Sequence, residues 1–197
     1  MNTIHLHKVD STNTYAKLHA STFAPNQITC IFADEQTAGR GRQQRSWISP
    51  PNVNLYATFF LQLPLNTPHL TSIGQILALS CAALLKKHNL SPQIKWPNDI
   101  QLCGKKIAGI LCETAFHPPL VDLFLGIGLN VNMEKNLLDQ IDQPATSLLT
   151  ETKKTWNREE LLNQLQAQFE QDLKKFRQDG LSSFLPLFND LLAMRGQ

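Results

Sequence analysis

Apolar and polar positions alternate over Ile4–Val9, the two-residue period of a short strand. Asp10-Ser11-Thr12-Asn13 follows, with helix-capping side chains, ahead of a helical stretch over Tyr15–Ala20. Ile28–Ala33, rich in β-branched residues, predicts a second strand and Leu55–Leu63 a third. Between Leu70 and Lys87 the apolar residues Ile73, Ile76, Leu77, Ala83 and Leu84 recur at helical spacing, and Asn89 ends that helix. Short strands then follow near Ile94–Trp96, Ile100–Leu102, Lys106–Ala115 and Leu120–Leu129, with turns at Cys103-Gly104 and His117-Pro118-Pro119. In the last third, Asn157 and Glu160 read as a capping-box-like start, with Trp156 stapled on Leu161. Leu161, Leu165, Phe169, Leu173 and Phe176 form a core stripe that Gly180 terminates. The order predicts an α+β fold: a mixed or antiparallel central sheet flanked by helices.

Composition adds boundaries. At 197 residues, 42% hydrophobic and 17% charged, the chain reads as one ordinary globular domain spanning 1–197. A net charge of +2 is too small for nucleic-acid or membrane binding by bulk electrostatics, so any basic function is local. No apolar run reaches the ~18 residues of a membrane span, and Met1–His5 lacks the regions of an export signal. Cys30, Cys81, Cys103 and Cys112 form no C-x-x-C pair and read as reduced thiols of a cytoplasmic protein. Cys30 and Cys112 sit in apolar strand-like runs and are expected to be buried. The six histidines have no metal spacing; His5-x-His7 reads as one face of a strand at the surface, and no metal site is expected.

The local chemistry is concentrated in Gly39-Arg40-Gly41-Arg42-Gln43-Gln44-Arg45-Ser46-Trp47. Glycines allow a tight backbone, and arginines supply forked donors for carboxylate or phosphate. Common nucleotide motifs fail: Gln44 stands where a dinucleotide fingerprint needs its third glycine, and Ser49-Pro50-Pro51 forbids a helix opening from the loop. Gly104-Lys105 lacks both the upstream glycine and the Ser/Thr of a P-loop. What remains is polar clusters at strand ends. Asp10-Ser11-Thr12-Asn13 fits a plain N-cap as well as a ligand contact, and Gln36 fits a solvated loop residue unless the loop is the site. Lys95 lies between Ile94 and Trp96 and is expected to point away from both, before Pro97 and a turn at Asn98-Asp99. Gly109, inside a strand, signals close approach of a ligand or another backbone. Gly126-Ile127-Gly128 ends in Asn130 and Asn132, where a bulge and turn are equally compatible.

Five ordered motifs, covering Val9 to Asn132, resemble the biotin protein ligases in the short form without a DNA-binding region. They are Asp10-Ser11-Thr12-Asn13, Gln36-Thr37-Ala38-Gly39-Arg40-Gly41-Arg42, Lys95-Trp96-Pro97-Asn98-Asp99, Lys105-Lys106-Ile107-Ala108-Gly109-Ile110-Leu111 and Gly126-Ile127-Gly128-Leu129-Asn130-Val131-Asn132. The resemblance implies the catalytic-domain fold of biotin/lipoate ligases and a two-step reaction. Biotin's carboxylate attacks the ATP α-phosphate to give biotinyl-AMP; a lysine of a biotin carboxyl carrier protein then displaces AMP. It implies that Lys95, Arg42 and Arg40 are catalytic cations, with Lys95 bridging carboxyl oxygen and α-phosphate. It places Ser11, Thr12, Asn13, Gln36, Gly39, Gly41 and Gly109 with biotin, beside those cations. It places Arg42, Arg45, Trp47, Asn98, Lys106 and Asn130 with ATP, whose Mg²⁺ would be held by phosphates, water and Asn98 or Asp99.

Two departures stand out. Gln43-Gln44 replaces an Arg/Gln-Gly pair common in this loop, and family members continue past Arg195-Gly196-Gln197 into a small β-barrel-like domain, which is expected to be absent here. Alternatives are a lipoate or octanoate ligase or transferase of the same fold, or a non-catalytic binder of biotin or its adenylate. A DNA-binding repressor is disfavoured, because Ile4 already lies in the first strand. Family members use sheet edges for dimers and for carrier docking, so a homodimer is open.

Overall fold

In a computed structural model of the chain, which describes residues 1–193, the expected strands and helices form within a few residues of their sequence positions, joined by three short helices that no apolar period marks. The strands are β1 (Asn2–Val9), β2 (Thr29–Gln36), β3 (Leu55–Pro64), β4 (Gln93–Lys95), β5 (Asp99–Leu102), β6 (Lys105–His117) and β7 (Leu120–Leu129). The helices are α1 (Thr12–His19), α2 (Ile73–Lys87), α3 (Lys135–Leu138), α4 (Leu148–Thr152), α5 (Arg158–Asp179) and α6 (Leu185–Leu191). Strand order is β1-β2-β3-β7-β6-β5-β4. β1 and β2 are parallel, whereas the β2/β3, β3/β7, β4/β5 and β5/β6 pairs are antiparallel, so the sheet is mixed as expected. The junction at Arg195-Gly196-Gln197 lies outside the described residues.

The chain clusters into two compact units, Met1–Thr67 with Ile110–Leu129 and Pro68–Gly109 with Asn130–Gln197. In the first, α1 packs on its strands through Ala16, Ile31, Phe60 and Phe124, joined by Leu6, Tyr15 and Phe23. The rings of Phe60 and Phe124 stand 5.4 Å apart. Each such fully buried side chain stabilises by roughly 1.5–3 kcal/mol. Antiparallel register sets Thr58 opposite Gly126 and Tyr56 opposite Gly128. Cys30 is buried, but Cys112 is exposed, contrary to expectation. From Leu111 onward β6 alternates half-buried and exposed positions, so only one of its faces is covered and Cys112 falls on the other.

In the second unit, α2 packs against α5. Asn157 caps α5 by accepting from the Glu159 and Glu160 amides, and Gly180, at φ 72°, ends it. Leu161, Leu165, Phe169, Leu173 and Phe176 are all buried. Trp156 packs edge-on against His88, with centroids 4.8 Å apart. One boundary needs correction: Leu70–Lys87, 18 residues, is long and apolar enough in composition to cross a membrane. Its buried residues include Ile73, Ile76, Leu77, Cys81, Leu84 and Leu85, and Ser80 donates to Asp172 of α5 at 2.7 Å, as in a core helix. Burial pushes the Cys81 thiol up to about 12. Trp96 is exposed rather than following Ile94 inward, because β4 ends at Lys95; its ring meets Phe188 of α6 at 5.8 Å.

Candidate functional site

The start of α1 is capped from another strand. Ser11 holds the extended N-cap conformation, but its side chain makes no capping bond. The Thr12 amide donates instead to Gln36 Oε1 at the end of β2 (2.9 Å), and the Thr12 hydroxyl donates to the same oxygen (3.1 Å). Gln36 Nε2 in turn donates to Ser49 Oγ at 3.0 Å. Gln36 is therefore a half-buried clamp between the helix start and the return of the arginine loop.

Asn13 points inward from the same turn. Its Oδ1 accepts from the buried Thr58 hydroxyl at 2.6 Å and its Nδ2 donates to Glu113 Oε2 at 2.8 Å. Room for the amide exists because residue 126 is glycine: a Cβ there would stand 2.6 Å from Asn13 Oδ1. Glu113 also receives Lys17 Nζ at 2.6 Å and Arg40 Nη2 at 3.3 Å. Burial pushes the Glu113 carboxyl up, but the Lys17 and Asn13 hydrogen bonds and the Arg40 charge outweigh it and hold the group below its ordinary value. Ser11, Thr12, Asn13 and Thr58 are all buried. Together they form a neutral donor–acceptor set suited to an uncharged polar group such as a urea.

The arginine loop is a hairpin. Arg40 and Ser46 form an antiparallel bridge, with the Trp47 amide donating to Gly39 O (2.8 Å) and the Gly41 amide to Arg45 O (2.7 Å). Gly39 is buried under the returning strand, where a Cβ would stand 2.6 Å from both Ser49 Oγ and Trp47 O. Arg42 and Arg45 flank an exposed tip, whose Gln43 and Gln44 are both left-handed, at φ 55° and 59°. Arg40 is held to Thr14 Oγ1 and Glu113. Trp47 leaves the hairpin to lie against Gly128 of β7.

The remaining expected residues lie in the second unit. Lys95 ends β4, exposed, with Asp99 as its Cα partner; among the described residues it makes no ion pair. Asn98 sits in the turn before β5. Lys106 Nζ meets Asp99 Oδ1 at 2.9 Å, and Gly109 pairs with Asp99 across the β5/β6 ladder. Asn130 is buried: its amide nitrogen donates to Thr146 O at 3.0 Å and its backbone N–H to Ile107 O at 2.8 Å.

Thr58, Ser49 and Glu113 join this site from outside the predicted set. A lone threonine in the apolar run Leu55–Leu63 was a visible signal for the first; the others become partners only across strands. His5 and His7, a surface pair by their spacing, gain a third neighbour. Asp34 of β2 stands against both, at 3.0 and 3.1 Å.

Residues 6–130 match the biotin/lipoate A/B protein ligase family. The bifunctional ligase/repressor BirA of Salmonella typhimurium is 31% identical over 93% of this chain and 57% of its own length. A biotin–acetyl-CoA-carboxylase ligase of Mycobacterium tuberculosis is 34% identical over 71% of this chain and 52% of its own. The chain thus spans about half the length of these curated relatives. Among solved structures, a biotin protein ligase from Aquifex aeolicus in complex with biotin and ATP superposes with a TM-score of 0.82 at 30% identity, covering 100% of this chain and 80% of that one.

Proposed function

Because the chain belongs to the biotin/lipoate A/B protein ligase family, we propose that it joins biotin to a lysine of a biotin carboxyl carrier protein by way of biotinyl-AMP. One observation carries the reading: the uncharged cluster of buried Thr12, Asn13 and Thr58 with half-buried Gln36 adjoins a hairpin that presents arginines. A neutral cradle beside cations fits a molecule with a ureido ring at one end and a carboxylate at the other.

In the first step a biotin carboxylate oxygen attacks the α-phosphorus of ATP and pyrophosphate leaves. Two anions must approach, so fixed cations at the reacting oxygens lower the barrier. Lys95 is assigned to the carboxylate and α-phosphate, with Arg42 and Arg45 on the phosphates. Arg40 adjoins the cradle through Thr14 and Glu113, and its bond to Glu113 holds the hairpin base in place. Ser11, Thr12, Asn13 and Gln36 take the ureido ring. Gly39, Gly41 and Gly109 let backbone approach the valeryl chain and carboxylate. Trp47, Asn98, Lys106 and Asn130 are assigned to the nucleotide, Asn130 acting through the segment that its amide holds at Thr146. In the second step the carrier's lysine amine attacks the anhydride carbonyl and AMP leaves. The anhydride is labile to water, so a loop that closes over it has a chemical purpose.

Mg²⁺ supplies charge neutralisation on the triphosphate when it is bound with ATP. Asp99 is already neutralised by Lys106, so no dedicated carboxylate cage forms there, and the ion is assigned to phosphate oxygens, water and the Asn98 side chain. The relatives' reaction and the free thiols suit a cytoplasmic enzyme.

Exchange of labelled pyrophosphate into ATP tests the reading. Exchange that requires biotin, followed by label transfer to an apo carrier domain, is the expected result. Exchange with lipoate or octanoate alone would overturn the substrate assignment, and biotin binding without exchange would leave a binder in place of a ligase.

A further inference from the structure

We propose that His5, His7 and Asp34 form a binding site for a divalent transition-metal ion of the zinc class. His5 and His7 share one face of β1 by the two-residue strand period. The parallel register pairs Leu6 with Ala33 and Lys8 with Glu35, which sets His7 opposite Asp34. His5 Nε2 stands 3.0 Å and His7 Nδ1 3.1 Å from the same oxygen, Asp34 Oδ2, and all three candidate ligand atoms lie within 4.8 Å of one another. Zinc bonds of about 2.0–2.2 Å in a tetrahedron put neighbouring ligand atoms roughly 3.3 Å apart. Two of the three separations already match, and closing the third needs only rotation of the His7 side chain, which is 94% exposed.

The ligand chemistry selects the metal. Two imidazoles and one carboxylate suit zinc, cobalt, nickel or copper, whereas magnesium and calcium take oxygen sets. Asp34 is buried, so its charge is poorly hydrated and favours a cation at Oδ2, the oxygen that faces both imidazoles. The His5 ring is oriented by stacking on Phe32, at 5.0 Å and 20°. Three protein ligands leave a fourth position for water or a ligand from another molecule. The ion would tie β1 to β2 two residues before Gln36, and a metal bound only by the folded state stabilises it by mass action.

The test uses the full chain without a histidine tag, stripped by chelator and titrated with Co²⁺ while the visible d–d absorption is followed, then with Zn²⁺ in competition. One saturable equivalent is expected, displaced by Zn²⁺, together with a rise in thermal midpoint. His7→Gln and Asp34→Asn should each weaken binding at least about tenfold, while His117→Gln, at a histidine far along the chain, leaves it unchanged. Circular dichroism in chelator verifies folding, and His7→Gln serves alone should Asp34→Asn fail to fold. Absence of saturable Co²⁺ binding overturns the site, as does wild-type binding by His7→Gln or by folded Asp34→Asn.

Discussion

Trp47 rests directly on Gly128: a Cβ built on that glycine would fall 2.3 Å from Trp47 Cε2 and 2.5 Å from Nε1. The hairpin is thus seated on β7 through a contact that only glycine permits. Gly128→Ala should lift the ring and shift the hairpin while sparing the core. Pyrophosphate exchange is expected to fall by about 10²-fold, as for small misplacements of a catalytic loop, with little change in thermal midpoint. Wild-type exchange in this variant would show that the seating of Trp47 is irrelevant to the chemistry.

Gln43 and Gln44 both hold positive φ at the hairpin tip. A left-handed conformation costs a non-glycine residue roughly 1–2 kcal/mol, part of which Gln44→Gly recovers. Hydrogen exchange at the Trp47 amide, which closes the hairpin onto Gly39 O, should slow by about fivefold for ~1 kcal/mol gained. Faster exchange would mean that the added chain entropy outweighs the relieved strain.

Thr58→Val keeps the shape of a buried side chain but removes the hydroxyl that donates to Asn13 Oδ1. Leaving that oxygen unsatisfied costs about 1–3 kcal/mol, measurable as a lower urea midpoint at unchanged slope. Biotin affinity measured by calorimetry should fall with it. Loss of stability without loss of affinity would remove Asn13 from the ligand's contacts.

Glu113 gives a pH signature. Its folded carboxyl lies below the ordinary 4.5, so the unfolded chain takes up its proton first as pH falls. The associated stability is fully present above about 4.5 and disappears as pH drops through the folded value. Wild type should therefore lose stability in acid more steeply than Glu113→Gln, the two curves converging at low pH. Parallel curves would remove the Lys17–Glu113–Arg40 network as the cause.

Lys95→Ala, at an exposed strand end, should fold with an unchanged thermal midpoint and lose about 10²–10³ in exchange rate, the usual effect of deleting one transition-state contact. Near-wild-type exchange would end its assigned role.

Element positions followed from local patterns because strand and helix periods are short-range: the core stripe of α5 and the turn at Cys103-Gly104 stand where their residues predict. Cys112 and Trp96 did not follow, since a pattern along one strand does not reveal what covers its far face or where the strand stops. The candidate residues of the first unit were legible as a set of motifs, but their partnerships were not. Asp10-Ser11-Thr12-Asn13 reads as a cap, yet the cap is Gln36, 24 residues away.

The chain's apolar periods determined by themselves the fold class, and its ordered polar clusters, glycines and arginines pointed to the family. Tertiary structure alone decided which partners within the chain these groups meet. Glu113 claims Arg40, Lys106 claims Asp99, Thr146 claims Asn130, and Asp34 joins two histidines. The physical reason is that charge and hydrogen-bond compensation depends on distances of about 3 Å, and across strands those distances are set by register and packing.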